Sequence, residues 1–147
     1  MRFRGIVVAV LLLVAAGCGA DEEASAAGDG ATTTAPGPDL SEVEFVDETG
    51  AEEVEVEARD NVFDAEYIEV EAGTTITFRN DGRNPHNVLP VVEGEVSEIP
   101  TEAFDPGDEA TITFDEVGDV AYYCSLHGTT TKGMVGAVRV VEPGTGS

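Results

Sequence analysis

The chain has 147 residues and a formal net charge of −23, with 30 acidic side chains against 7 basic ones. Such a balance repels nucleic acid and anionic membrane surfaces, so neither is a natural partner. Once targeting segments are set aside, the length allows one modest domain and no more.

Arg2 and Arg4 precede an apolar run from Gly5 to Ala16. A basic start followed by a short apolar stretch is the architecture of an export signal. The run is shorter than the about 20 residues that a membrane-spanning helix needs. It ends in Ala15-Ala16-Gly17-Cys18, which resembles a bacterial lipobox, with Ala15 in place of the usual leucine. In that motif the cysteine is lipidated and becomes the new N-terminus. The other reading is an ordinary signal peptide with an incidental cysteine, but an exposed free thiol is an unusual feature of a secreted protein. The expected organisation is a signal peptide at 1–17, a lipidated, acidic, flexible tether at 18–42, a folded domain at 43–143 and a disordered tail at 144–147. The tether is rich in Ala, Gly, Thr, Pro and acid, and cannot bury enough surface to offset its ordering entropy. It gives a folded head reach from a lipid surface. Loss of Arg2 and Arg4 leaves 5 basic against 30 acidic groups, a net charge of −25. This acid serves either solubility, as in high salt, or the steering of a basic partner.

The rest of the chain alternates with a period of two. Val54, Val56 and Ala58 alternate with glutamates, as do Ile68 and Val70. Ile76 and Phe78 alternate with threonines, and Ile112 and Phe114 do the same. Such alternation marks strands with one buried face. Turn signals separate them at Ala72-Gly73, Asn80-Asp81-Gly82, Asp105-Pro106-Gly107 and Val117-Gly118-Asp119. A last strand is expected from Gly136 to Val141. About seven or eight short strands in a domain of this size predict an all-β sandwich or barrel.

The expected mature domain holds one cysteine, Cys124, two histidines, His86 and His127, and one methionine, Met134. Three of these four fall within residues 124 to 134, and His86 lies 38 residues upstream of Cys124 in a turn-like Asn84-Pro85-His86-Asn87 segment. One thiolate, two imidazoles and a thioether form the ligand set of a blue-copper electron-transfer site. The soft thiolate favours Cu(I), the imidazoles accept both oxidation states, and a weak axial thioether commits the metal to neither geometry. Cys124 and His127, three apart, can supply two ligands from one loop, with Met134 returning as the chain enters the last strand.

Tyr122-Tyr123-Cys124-Ser125-Leu126-His127, followed by Gly133-Met134-Val135-Gly136, resembles the copper loop of the plastocyanin/azurin family of cupredoxins. Pro85-His86-Asn87-Val88 resembles the segment that carries that family's first histidine ligand. Asn61-Val62-Phe63, Ile68 to Phe78, Phe104-Asp105-Pro106-Gly107 and Phe114 to Gly118 resemble its strands. The resemblance covers roughly residues 54 to 141. It implies a cupredoxin-like Greek-key β-sandwich with copper, cycling between Cu(I) and Cu(II), near one end. It further implies that Cys124 is the thiolate ligand, His86 and His127 the equatorial imidazoles and Met134 the axial thioether. It makes His127 the electron port and Tyr123 a second exit, although an aromatic at a strand position needs no such role. The chain departs from the family in one respect: six residues, Gly128 to Gly133, separate His127 from Met134, more than in plastocyanin-like loops. A longer loop can bulge outward and still return Met134, or it can lengthen the axial bond.

The expected function is a one-electron carrier, not an enzyme, working between membrane-associated redox proteins such as a cytochrome, an oxidase or a reductase. The alternative is an extracytoplasmic copper-handling protein that buffers or delivers the metal; a structural domain with a vestigial site is a third reading. A structural zinc site fits less well, because such sites use Cys and His without Met. C-type haem attachment needs a second Cys before the His. The expected molecule is a monomer that touches the membrane through its lipid anchor only, at the extracytoplasmic face of the cell membrane or in the periplasm.

Overall fold

The computed structural model describes residues 36–144. The expected signal peptide, Cys18 and the last three residues lie outside that range. Among the described residues no helix is long and apolar enough to cross a membrane.

Nine strands form in chain order. They are β1 (Val46–Asp47), β2 (Val54–Arg59), β3 (Val62–Asp64), β4 (Tyr67–Glu71), β5 (Thr74–Asn80), β6 (Leu89–Pro90), β7 (Glu109–Phe114), β8 (Gly118–Thr129) and β9 (Lys132–Val141). One 3₁₀ turn spans Thr101–Ala103. One sheet has the order β1-β4-β9-β8-β6 and the other β3-β2-β5-β7. Sequential strands cross repeatedly between the sheets, so parallel pairs (β2 with β5, β4 with β9) sit beside antiparallel ones (β5 with β7, β8 with β9). The fold is the all-β sandwich that the alternation predicts. Its strand count reaches nine because β1 and β6 have two residues each.

The inward positions of the alternation make the core. Val54, Val56, Ala58, Ile68, Val70, Ile76, Phe78, Ile112 and Phe114 are all buried. On β8 the inward set is Val120, Tyr122 and Cys124. Cys124 is therefore turned inward by the same period of two that turns in its neighbours. The turn signals hold with one adjustment: Gly118 and Asp119 open β8 instead of closing a turn.

The chain before β1 crosses the outer face of the five-stranded sheet. A Cβ on Gly37 would sit 3.7 Å from Val91 Cγ1 and 3.9 Å from Ala121 Cβ, near the β6 side. Further on, the Arg139 guanidinium lies 3.9 Å over the Phe45 ring, and Phe45 meets Tyr67 edge-on at 6.0 Å. Val46–Asp47 then pairs with β4 at the opposite edge. Gly37, in the stretch read as tether, thus lies near the outer face of the sheet.

Candidate metal centre

Two segments build the site. The first is the loop between β5 and β6, which carries His86. His86 is not on a strand; it lies two residues before the isolated bridge between Val88 and Ile99. Its backbone N–H donates to Phe104 O at 3.1 Å. Asn80, at the end of β5, is fully buried and bonds along the same loop. Its Nδ2 donates to Asn84 O and to Phe104 O, both at 2.9 Å, and its Oδ1 accepts from Gly82 N at 3.0 Å. A Cβ on Gly82 would crowd the loop, lying 3.0 Å from both Asp60 N and His86 Nε2. The loop is thereby pinned by its own polar groups, as buried polar groups require.

The second segment is the β8–β9 hairpin. Tyr123 pairs with Val135, and the next pair is Gly128 with Gly133. Between these rungs β8 holds four residues, Cys124 to His127, while β9 holds only Met134. A bulge of this kind re-aims side chains and relaxes the ladder locally. It puts Cys124 and His127 on one arc opposite Met134.

The two segments converge. Cys124 Sγ is 3.7 Å from His86 Nδ1 and 3.6 Å from His127 Nδ1. The ligand atoms of these three residues all lie within 4.8 Å of one another. Cys124 and His86 are fully buried, and His127 is half-buried. Metal–sulfur and metal–nitrogen bonds of about 2.3 and 2.0 Å, meeting near the tetrahedral angle, give an S···N edge of about 3.5 Å. The observed separations match that edge, so the residues fit a bound metal ion. Burial pushes the His86 imidazolium below its usual range, with His127 adding to the shift and Asp60 opposing it. The neutral ring is the form that ligates. His86 Nε2 is buried and has no hydrogen-bond partner among the described residues. Cys124 is the free cysteine of the described chain.

A sequence profile described as "Copper binding proteins, plastocyanin/azurin family" matches residues 51–141. The chain belongs to the plastocyanin/azurin family. Its cofactor is accordingly copper. Over 86 residues it is 38% identical to a chloroplastic plastocyanin of Hordeum vulgare, covering 54% of each chain. It thus spans about half the length of that relative. A plastocyanin of Solanum crispum is 36% identical over 80 residues, which are 48% of this chain and 79% of that one. Among solved structures, a purple cupredoxin from Nitrosopumilus maritimus superposes with a TM-score of 0.51 at 25% identity, covering 60% of this chain and all of the other.

The cupredoxin sandwich brings His86, Cys124 and His127 together. Met134 is fully buried and stands opposite their bulge. Tyr123 points the other way, to the outer face, where it lines a groove with Leu89, Pro90, Glu93, Glu98 and Thr130. Two supporting residues escaped the sequence reading. Asn80 sits inside a turn signal, and Asn87 follows the ligand candidate, but asparagine is so ordinary in turns that neither drew notice. Asn87 is 4% exposed and ties the two segments: its Oδ1 accepts from Ser125 N at 2.8 Å and its Nδ2 donates to Ser125 Oγ at 2.8 Å.

Proposed function

We propose that this cupredoxin is a one-electron carrier in which Cys124, His86, His127 and the Met134 thioether would hold the copper. The observation that carries this reading is one buried thiol with two imidazole Nδ1 atoms at 3.6 and 3.7 Å. Bound copper would supply a one-electron couple whose potential depends on the axial ligand and on the surroundings of the sulfur. The chain's part is to hold the donors still. His86 is fixed through its backbone to Phe104, and the Cys124 arc is fixed by Asn87 to the His86 loop. A frame held in this way needs little rearrangement when the charge at its centre changes. His127, half-buried beside Leu126, which is 51% exposed, is the proposed port. Tyr123, covalently next to Cys124 and facing the acidic groove, is the proposed second exit.

A carrier is favoured over an enzyme because the chain has two histidines in all and both belong to the cluster. None is left for a second, open metal site. The proposed setting is an exported, monomeric head, tethered through lipid on Cys18 and exchanging electrons with redox proteins at the extracytoplasmic face. Cys18→Ser is expected to release the protein from membranes, and retention in the membrane fraction would refute the anchor.

The test of the carrier reading is the visible spectrum of the copper-loaded chain beside that of Cys124→Ser. The parent should show intense thiolate-to-Cu(II) absorption that is reversibly bleached by reductant, and the variant should show none. A colour that survives the substitution refutes the assignment. A colourless protein that binds Cu(I) alone and surrenders it readily favours copper handling.

A further inference from the structure

The six residues between His127 and Met134 do not form an open loop. Gly128 pairs with Gly133 and Thr129 with Lys132, which leaves Thr130 and Thr131 as a two-residue turn. The glycine pair is therefore the last rung before the bulge that carries Cys124 and His127. Each glycine is peptide-bonded to a candidate ligand, Gly128 to His127 and Gly133 to Met134.

Both positions exclude a side chain. A Cβ on Gly133 would lie 2.7 Å from His127 O and 2.8 Å from Gly128 Cα. A Cβ on Gly128 would lie 2.7 Å from Met134 N and 3.0 Å from Lys132 O. All four atoms are backbone, which cannot swing aside as a flexible side chain can. Gly133 also has φ +88°, in the region that favours glycine. The two strands approach closely at this one rung, and the atoms that meet belong to the backbones of His127 and Met134 or to their neighbours.

We propose that the Gly128–Gly133 rung is a clamp that sets the positions of His127 and Met134, so that the added length of the loop beyond it has no effect on the metal. Gly128 and Gly133 are positioning residues: they act through the ligands they adjoin. The clamp accounts for how this chain carries a longer stretch than its family's loops and still returns Met134 opposite the Cys124 arc. The extra residues go into one more ladder rung and a turn, on the far side of the clamp from the metal. This inference rests on the ligand reading above.

The experiment compares the full chain with two variants. In the first, Asn-Gly is inserted between Thr130 and Thr131, a pair that favours a two-residue hairpin turn and extends the ladder by one rung. In the second, Gly133→Ala, the clamp is forced open. Copper affinity, the Cu(II) electron paramagnetic resonance spectrum and the reduction potential are measured for each. The insertion should match the parent in all three. Gly133→Ala should lose copper affinity by at least about ten-fold, the scale for groups that orient ligands, and should show an altered resonance spectrum. An insertion that shifts spectrum and potential overturns the clamp, as does Gly133→Ala with parental values. If Gly133→Ala does not fold, the insertion variant decides alone. A parent that binds no copper refutes the ligand reading itself, whereas a coloured parent with a shifted insertion variant refutes only the clamp.

Discussion

Asn87 and Ser125 exchange two hydrogen bonds of 2.8 Å, one to the Ser125 amide and one to its hydroxyl. Asn87 follows His86 in the chain and Ser125 follows Cys124, so the pair fastens one segment of the candidate site to the other. Asn87 Nδ2 also donates to Thr101 Oγ1 at 3.0 Å.

Asn87→Ala removes all three bonds at a 4% exposed position. The expected loss is about 2 kcal/mol, which lowers the melting temperature of a domain of this size by about 10 °C. Thermal unfolding of the copper-free protein measures it. A midpoint unchanged from the parent would show that the fastening adds nothing to the fold.

Met134→Leu separates packing from ligation. Met134 is fully buried, and a swap that conserves volume should cost less than about 1.5 kcal/mol. If the thioether is a ligand, its replacement by an apolar group leaves the more highly charged Cu(II) with one donor fewer, and the reduction potential rises while the colour persists. Voltammetry of the copper-loaded variant decides this. An unchanged potential would place the sulfur outside the coordination sphere.

Gly136 and Tyr122 are locked together. A Cβ on Gly136 would sit 2.5 Å from Tyr122 Cζ and 2.6 Å from its hydroxyl oxygen. The ring has little freedom to yield, since it packs edgewise on Phe63 at 5.0 Å and on Phe78 at 5.4 Å. Gly136→Ala should therefore cost about 3 kcal/mol by overpacking. Tyr122→Phe should cost nothing or stabilise by about 1 kcal/mol, because its buried hydroxyl has no partner among the described residues. Denaturant unfolding of both variants checks the pair, and a stable Gly136→Ala would mean that the ring has room to move.

Stability should fall in alkali. Burial, with the neighbouring Glu66, pushes the Tyr67 phenol from 10.0 up to about 12. Burial pushes Tyr122 further in the same direction. A phenol held neutral in the fold but free to ionise in the unfolded chain stabilises fully below the unfolded value. That stability drains away as pH rises through 10 towards the folded value. Urea midpoints of the copper-free protein at pH 9 and above pH 11 should differ, with the higher pH less stable. Tyr122→Phe should flatten the slope, and an equally steep loss in that variant would exclude Tyr122 as its source.

The sandwich was readable because side-chain alternation reports which face of a strand is buried, and Val54 to Ala58 or Ile76 to Phe78 state it openly. The metal cluster was readable because Cys, His and Met are rare in this chain, so their types and spacing carry information. Other features left no such trace. β1 and β6 have two residues each and no period to detect. The rungs at Gly128–Gly133 and Thr129–Lys132 are made by backbone atoms, and their side chains show no apolar alternation, so the stretch reads as a loop. Asn80 and Asn87 are buried because their amides meet backbone and side-chain partners supplied by distant segments. Residue type alone places asparagine at the surface.

The strip from residue 36 to Asp47 gives the molecule a mechanical property. It is held to the outer sheet by Phe45 against Arg139 and Tyr67 and by two residues of pairing with β4. None of these contacts belongs to the metal cluster. A pull on the N-terminal side loads them one after another, so the strip peels before the sandwich yields. Twelve residues drawn straight span about 40 Å at about 3.4 Å each. A pull on this strip is thus borne by the outer face of the sheet, away from His86, Cys124 and His127.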